Sequence, residues 1–417
     1  RFPGGCLVHG NGLGNIYRWK DSVGPRETRR QQHSIWRRHQ SLGLGFFEYF
    51  QFCEDIGAWP LPVVAAGVSC QNSGCTCGGG QRPIPLAEMP AYIQDVLDLI
   101  EYANGPADSP WGAVRAAAGH PEPFHLRHLG VGNEDKITPD FEARFRLIHD
   151  ALRARHPEIT VIGTVGPAAE GEDYEKGWAF ARELGLPMVD EHYYKPAAWF
   201  WENLHRYDAY DRAGSRVYLG EYAAHEEDRR STLRSALAEA AHLTALERNG
   251  DIVAFASYAP LLAKRGHTDW SPDLIYFTNA SVYPTINYEI QRLFSLHAGD
   301  HWLPARLDPA PAPGERLAVS TVRDSASGDL IVKLVNGDAS ARALRLEAPA
   351  FAFATAVATT LSAPDDSVAR EDDRPDPVSL LTVPLTRSAD GSLVHTLPAF
   401  SLTILRLSAA HPEAPSR

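Results

Sequence analysis

Between residues 59 and 262, short apolar runs alternate with stretches of helical periodicity, which restricts this part of the chain to βα units around a parallel sheet. Strands are expected at 59–67, 126–131, 160–165, 188–192, 216–220 and 252–258, and helices at 89–104, 140–155, 178–184, 231–248 and 285–296. In the first of these helices Ala91, Val96, Leu99 and Ile100 share an apolar face and Gly105 ends it; in the second, Phe141, Phe145, Ile148 and Leu152 recur at three- and four-residue spacing behind Asp140, the expected cap. Six strands are too few to close an eight-stranded barrel. The opening Arg1-Phe2-Pro3-Gly4-Gly5-Cys6 reads as a loop leaving a strand that is itself absent, so the chain is expected to begin inside a barrel.

After His301 the pattern changes. Pro309, Pro311 and Pro313 mark a crossing segment, and beyond it short strands at 317–322, 330–335, 378–383 and 401–407 recur without helices, as in a β-sandwich. The acidic, proline-containing stretch 364–377 reads as an exposed loop. The expected domains are 1–300, an incomplete (β/α)8-type catalytic barrel, and 301–417, an all-β sandwich.

Two glutamates stand where barrel chemistry is done. Glu134, in Gly132-Asn133-Glu134, and Glu221, in Gly220-Glu221-Tyr222, each follow an apolar run and so fall at strand ends. Paired carboxylates suit glycosidic cleavage, with one protonating the leaving oxygen and the other meeting charge at the anomeric carbon. Their spacing, 221 − 134 = 87 residues, fits strands 4 and 7 of a barrel at about 30 residues per βα unit. His192 and Tyr194 alternate along one strand end and can face the same mouth.

Composition narrows the partners. A net charge of −12 with no basic stripe argues against nucleic acid, and nothing approaches a membrane span. The 9 Trp and 15 Tyr suit apolar sugar faces as well as a core. Cys6, Cys53, Cys70, Cys75 and Cys77 are odd in number. The cluster at 70–77 lacks a second Cys or His pair at zinc-finger spacing, so a short disulfide or free thiols are expected there and no metal. No phosphate loop, HExxH site or GxSxG elbow competes, and no cofactor is implied.

Arg1-Phe2-Pro3-Gly4-Gly5-Cys6, Gly132-Asn133-Glu134, Asp190-Glu191-His192-Tyr193-Tyr194, Gly220-Glu221-Tyr222 and Ser257-Tyr258-Ala259-Pro260-Leu261-Leu262 together resemble the α-L-arabinofuranosidases of glycoside hydrolase family 51. Two further stretches, 43–50 and 270–277, match in the same order. The resemblance implies a (β/α)8 barrel with a C-terminal β-sandwich. It implies retaining removal of terminal arabinofuranosyl groups from arabinoxylan, arabinan or arabino-oligosaccharides, with Glu134 as acid/base and Glu221 as nucleophile. It further implies that Asn133 bonds the hydroxyl beside the anomeric carbon, that His192 supports nucleophile or acid, and that Tyr194 donates to Glu221. Arg1 would brace the nucleophile, Cys6 would wall the sugar pocket, and Trp36 and Asn279 would lie near the sugar.

The family also uses a glutamate on strand 1, which this chain does not supply. A second copy or a separate N-terminal fragment is therefore expected to complete the barrel. The alternatives are another retaining barrel glycosidase, such as an endoglucanase or β-xylosidase, and an inactive fragment or carbohydrate binder.

Overall fold

The computed structural model describes residues 1–36, 38–73, 80–349, 351–371 and 374–409. All six expected parallel strands are present: β1 (Val63–Val64), β2 (His128–Val131), β3 (Thr160–Thr164), β4 (Met188–Lys195), β5 (Arg216–Ala224) and β6 (Val253–Tyr258). They lie side by side in chain order in one sheet, the order of consecutive barrel strands. The first four are parallel in register, with Val63 opposite Gly130, Leu129 opposite Val161 and Ile162 opposite Met188. β1 is much shorter than its apolar run, because only Val63 and Val64 meet a partner strand.

The helices follow from their faces and caps. α2 (Met89–Asn104) buries Tyr92, Val96, Leu99, Ile100 and Ala103, and ends at Gly105. α4 (Pro139–Arg155) is capped by Thr138, not Asp140. The Thr138 hydroxyl accepts the Phe141 N–H at 3.2 Å, which leaves Asp140 in the first turn, where its charge favours the positive end of the helix dipole. α5 (Glu172–Leu184) starts six residues earlier than its apolar periodicity suggests, on a first turn made of Glu172, Asp173 and Glu175. Two short helices add to these, α1 (Phe46–Asp55) and α3 (Pro110–Ala117). α1 buries Phe46, Phe47, Phe50 and Cys53, and the ring of Phe2 stacks on Tyr49 at 5.0 Å and meets Phe46 edge-on at 5.3 Å.

The chain forms two compact units. The first comprises Arg1–Tyr193, Asp211–Glu221 and Ala254–Ser257, and the second Tyr194–Tyr210, Tyr222–Val253 and Tyr258–Arg417. In the second unit, α6 (Ala197–Glu202), α7 (Leu233–Arg248) and α8 (Ile286–Leu296) precede an antiparallel region. Its strands are β7 (His301–Trp302), β8 (Leu317–Arg323), β9 (Leu330–Asn336), β10 (Arg342–Leu346), β11 (Phe353–Ser362), β12 (Ser379–Pro384), β13 (Leu393–Leu397) and β14 (Ser401–Ala409). Six form one sheet in the order β7-β8-β9-β14-β11-β12, while β10 pairs with β13.

Both faces of that sheet are covered. Ala318, Val322, Ile331, Val335, Leu402 and Ile404 pack with Leu233, Leu237, Ile290 and Phe294 of α7 and α8. Leu330, Val332, Leu334, Leu405 and Leu407 pack on the opposite side with Leu393 and Leu397 of β13. The central strand β9 is consequently buried along its whole length, including Lys333, whose ammonium pairs with Glu247 at 2.5 Å.

Cys6, Cys53 and Cys70 are free thiols, and Cys75 and Cys77 lie outside the described residues. Among the described residues no helix is long and apolar enough to cross a membrane.

Candidate active site

Glu134 stands just past β2 in a left-handed conformation, φ 55°, which costs a non-glycine residue free energy and persists only where its surroundings impose it. Here they do. The Gly132 N–H donates to Val64 O at 2.8 Å, Asn133 N–H to Asp135 Oδ2 at 2.9 Å, Glu134 N–H to Thr164 Oγ1 at 3.0 Å, and Ile137 N–H to Asp173 Oδ1 at 2.9 Å. Gly132 itself has φ 88°, and a Cβ there would strike the Asp135 carboxylate and Thr164.

Glu221 lies within β5, three strands along from β2, as the 87-residue spacing requires. On β4, Asp190 and His192 alternate on one face, while Glu191 points the other way to accept from Tyr174 Oη at 3.1 Å and Trp178 Nε1 at 3.2 Å. Arg1 is held by its neighbour. The Phe2 N–H donates to Leu61 O at 3.1 Å and Val63 N–H donates to Phe2 O at 2.8 Å, so the chain start pairs beside β1 and points the guanidinium into the cluster.

These groups form one network in the first unit. Arg1 Nη1 donates to Glu221 Oε1, and Arg1 Nη2 donates to Asn133 Oδ1 and lies 3.4 Å from Asp190 Oδ2. His192 Nδ1 contacts Glu134 Oε1 at 3.0 Å and approaches Glu221 Oε2 at 3.6 Å, while Nε2 meets Asp190 Oδ2 at 3.1 Å. One carboxylate oxygen each from Glu134 and Glu221, with a His192 nitrogen, lie within 4.8 Å of one another.

Charge balance sets the protonation. Burial alone would lower the His192 pKa, but the Asp190 and Glu221 charges raise it to about 10, so the ring is an imidazolium at neutral pH. Arg1 and His192 then balance Asp190 and Glu221. Ionising Glu134 would add an uncompensated charge, and burial, reinforced by Glu221, raises its pKa although the His192 hydrogen bond acts the other way. Glu134, His192 and Glu221 could also offer ligand atoms to a metal, which would have to displace the proton that Asp190 and Glu221 favour on His192.

The remaining expected site residues divide between the units. Cys6 is buried, with Asn72 Nδ2 at 3.8 Å from its sulfur; its hydrogen bond with Cys70 and then burial push the thiol pKa up, and the Glu134 charge adds to this. Trp36 is 39% exposed, and its ring and Glu221 Oε1 both border Gly5, 3.5 and 3.9 Å from where a Cβ there would stand. Tyr194 and Asn279 belong to the second unit, where Tyr194 stacks on His225 at 5.1 Å and Asn279 is an exposed turn residue. Sequence reasoning passed over Asp190, Thr164, Asp135 and His9. The available signal for Asp190 was its two-residue offset from His192; the others come from strand ends and a loop that no periodicity connects.

Comparison with known proteins agrees with this geometry. Residues 1–212 match the family model "Alpha-L-arabinofuranosidase 1 domain", and residues 209–401 match "Alpha-L-arabinofuranosidase C-terminal domain". An extracellular exo-α-L-arabinofuranosidase of Streptomyces chartreusis is 45% identical over 322 residues, covering 75% of this chain and 38% of the relative. A probable α-L-arabinofuranosidase A of Aspergillus flavus is 31% identical over 421 residues, covering 99% and 62%. The chain thus spans between about two fifths and three fifths of these relatives' lengths. The arabinose-bound structure of the MgGH51 α-L-arabinofuranosidase superimposes with a TM-score of 0.86 at 32% identity, over 98% of this chain and 64% of that one. A Thermotoga maritima α-L-arabinofuranosidase shares the fold at 17% identity, with a TM-score of 0.75 over 98% of this chain and 86% of that one. With a family model matching half its length and both parts matched in order, this chain belongs to the α-L-arabinofuranosidases of glycoside hydrolase family 51.

Proposed function

We propose that the chain removes terminal α-L-arabinofuranosyl groups from arabinose-containing polysaccharides or oligosaccharides by double displacement. The observation that carries this reading is the close approach of Glu134 and Glu221, with carboxylate oxygens within 4.8 Å. An inverting pair needs room for water between carboxylate and sugar, at about 6.5–9.5 Å, whereas a retaining pair stands about 5–5.5 Å apart.

Roles follow from charge. Glu221, bonded to the Arg1 guanidinium, is an anion ready to attack the anomeric carbon. Glu134, with its raised pKa, carries the proton for the leaving oxygen and, once ionised, takes one from the incoming water. Asn133 supports sugar binding: its Oδ1 is taken by Arg1, while its buried Nδ2 has no partner among the described residues and is a donor for a sugar hydroxyl. Cys6 and Trp36, beside the two carboxylates, are proposed as pocket wall and sugar platform. Tyr194 and Asn279, in the second unit, are proposed as sugar-binding residues on the family resemblance alone.

Two variants on aryl arabinofuranosides test the assignment. Glu221→Gln abolishes turnover of every substrate, because an amide is a poor nucleophile. Glu134→Gln still forms the intermediate from a dinitrophenyl arabinofuranoside, stalls for want of a base, and regains turnover when azide attacks directly. Equal loss with both leaving groups and no azide rescue overturns the roles, and turnover of aryl xylosides or glucosides in preference to arabinofuranosides overturns the substrate.

A further inference from the structure

One buried ion pair stands outside the network described above and touches the segment that carries the acid. His9 Nε2 lies 3.1 Å from Asp135 Oδ1, and both side chains are fully buried. Such a pair is an unpromising source of stability, since the desolvation of two charges can exceed their attraction and an apolar pair of similar volume often serves as well. Its location offers another reason for it. Asp135 Oδ2 accepts the Asn133 N–H at 2.9 Å, immediately before Glu134. His9 lies three residues past Cys6, in a loop closed by Gly10 N–H to Cys6 O at 3.0 Å and Tyr17 N–H to Val8 O at 3.2 Å. The pair therefore joins the loop that follows Arg1 and Cys6 to the loop that carries Asn133 and Glu134.

We infer that His9 and Asp135 are positioning residues for acid catalysis, pinning the two site loops together so that the left-handed Glu134 presents its proton to the leaving oxygen. Asp135 holds the loop from within, through the Asn133 amide, and His9 fixes where Asp135 itself can stand. Burial works against a charged His9, but the Asp135 carboxylate 3.1 Å away more than offsets it and raises the His9 pKa, so the pairing favours the charged ring. The inference rests on the acid role proposed for Glu134. It differs from a purely structural role in what it does to the reaction: a misplaced acid matters for a poor leaving group and hardly at all for one that departs unprotonated.

The test uses the full chain with Asp135→Asn, which keeps the shape and can still accept the Asn133 N–H, and Asp135→Ala, which cannot. The expected result is a loss in kcat/KM of at least roughly tenfold on an alkyl or phenyl arabinofuranoside, against less than about threefold on the dinitrophenyl compound, with the larger disparity in Asp135→Ala. An unchanged ratio between the two substrates in both folded variants overturns the inference. Amide hydrogen exchange gives a readout that needs no turnover. Exchange at Asn133 and Glu134 should accelerate in Asp135→Ala, which removes the acceptor, while Val161 and Ile162 in β3 keep their parent rates; equal protection throughout overturns the pin. If the parent turns over no arabinofuranoside while those two amides are selectively exposed, the functional reading fails and the pin stands.

Discussion

Glu134 and Glu221 have the same side chain but different charged neighbours, and for Glu134 burial and the Glu221 charge raise the pKa. Glu221 has a guanidinium bonded to it, whereas Glu134 meets an imidazolium whose charge is already shared with Asp190 and Glu221. The sign of each coupling predicts a pH response. In its proposed role Glu134 is an acid only while protonated, so the basic limb of kcat/KM should lie above the ordinary glutamate value of about 4.5 and follow this residue. Glu221 raises the Glu134 pKa, so Glu221→Gln should lower it, and His192→Ala should raise it by removing the hydrogen bond and positive charge that favour the ionised form. Carbon-13 titration of the Glu134 carboxyl in both variants measures the two shifts, and movement of both in one direction contradicts the charge balance.

At the scale of elements, the site depends on a close approach between strands that a sequence pattern does not display. A Cβ at Gly220 would land on the Asp190 carboxylate, and that carboxylate bridges Arg1 and His192. Gly220→Ala should therefore displace Asp190, lower kcat/KM by about 100-fold or more through the two cations it aligns, and leave the far-ultraviolet circular dichroism of the folded chain intact. Activity near the parent level would show that β4 and β5 can separate without consequence.

The same element shows what was legible in advance. Alternation along β4 singled out His192, which does join the carboxylate network, and the apolar runs marked all six parallel strands, because strand periodicity and burial are written locally. Strand ends were less legible. The apolar run at 59–67 yields only a two-residue strand, since pairing depends on the neighbour rather than on hydrophobicity. α1 went unread because its apolar residues are a cluster of aromatics, of which Phe46, Tyr49 and Phe50 pack around Phe2 from a distant part of the chain. Asp135 and His9 were invisible for a related reason: 126 residues separate them (135 − 9), and only the fold brings them together.

At the scale of the whole molecule, the antiparallel strands are not packed as a body of their own. Composition changes at His301, yet one face of the six-stranded sheet is covered by α7 and α8, through Leu233, Leu237, Ile290 and Phe294. Lys333 on the central strand, buried at its side chain, also needs Glu247 of α7, and the hydroxyl of Ser320 bonds to the same carboxylate. Cutting these contacts would leave a lysine ammonium without its partner and bare an apolar face on both fragments, the kind of surface that drives association. Residues 301–417 produced alone should therefore aggregate or bind a hydrophobic dye, whereas a fragment beginning at residue 231 keeps α7 and α8 and should be the more soluble of the two. In the full chain, α7, α8 and the sheet should melt in a single cooperative transition, because neither side retains a closed core without the other. Differential scanning calorimetry of the chain and size-exclusion chromatography of the two fragments check this directly. A monomeric, cooperatively folding 301–417 would mean that β10 and β13 alone cover enough of the sheet, and would place the boundary at the composition change after all.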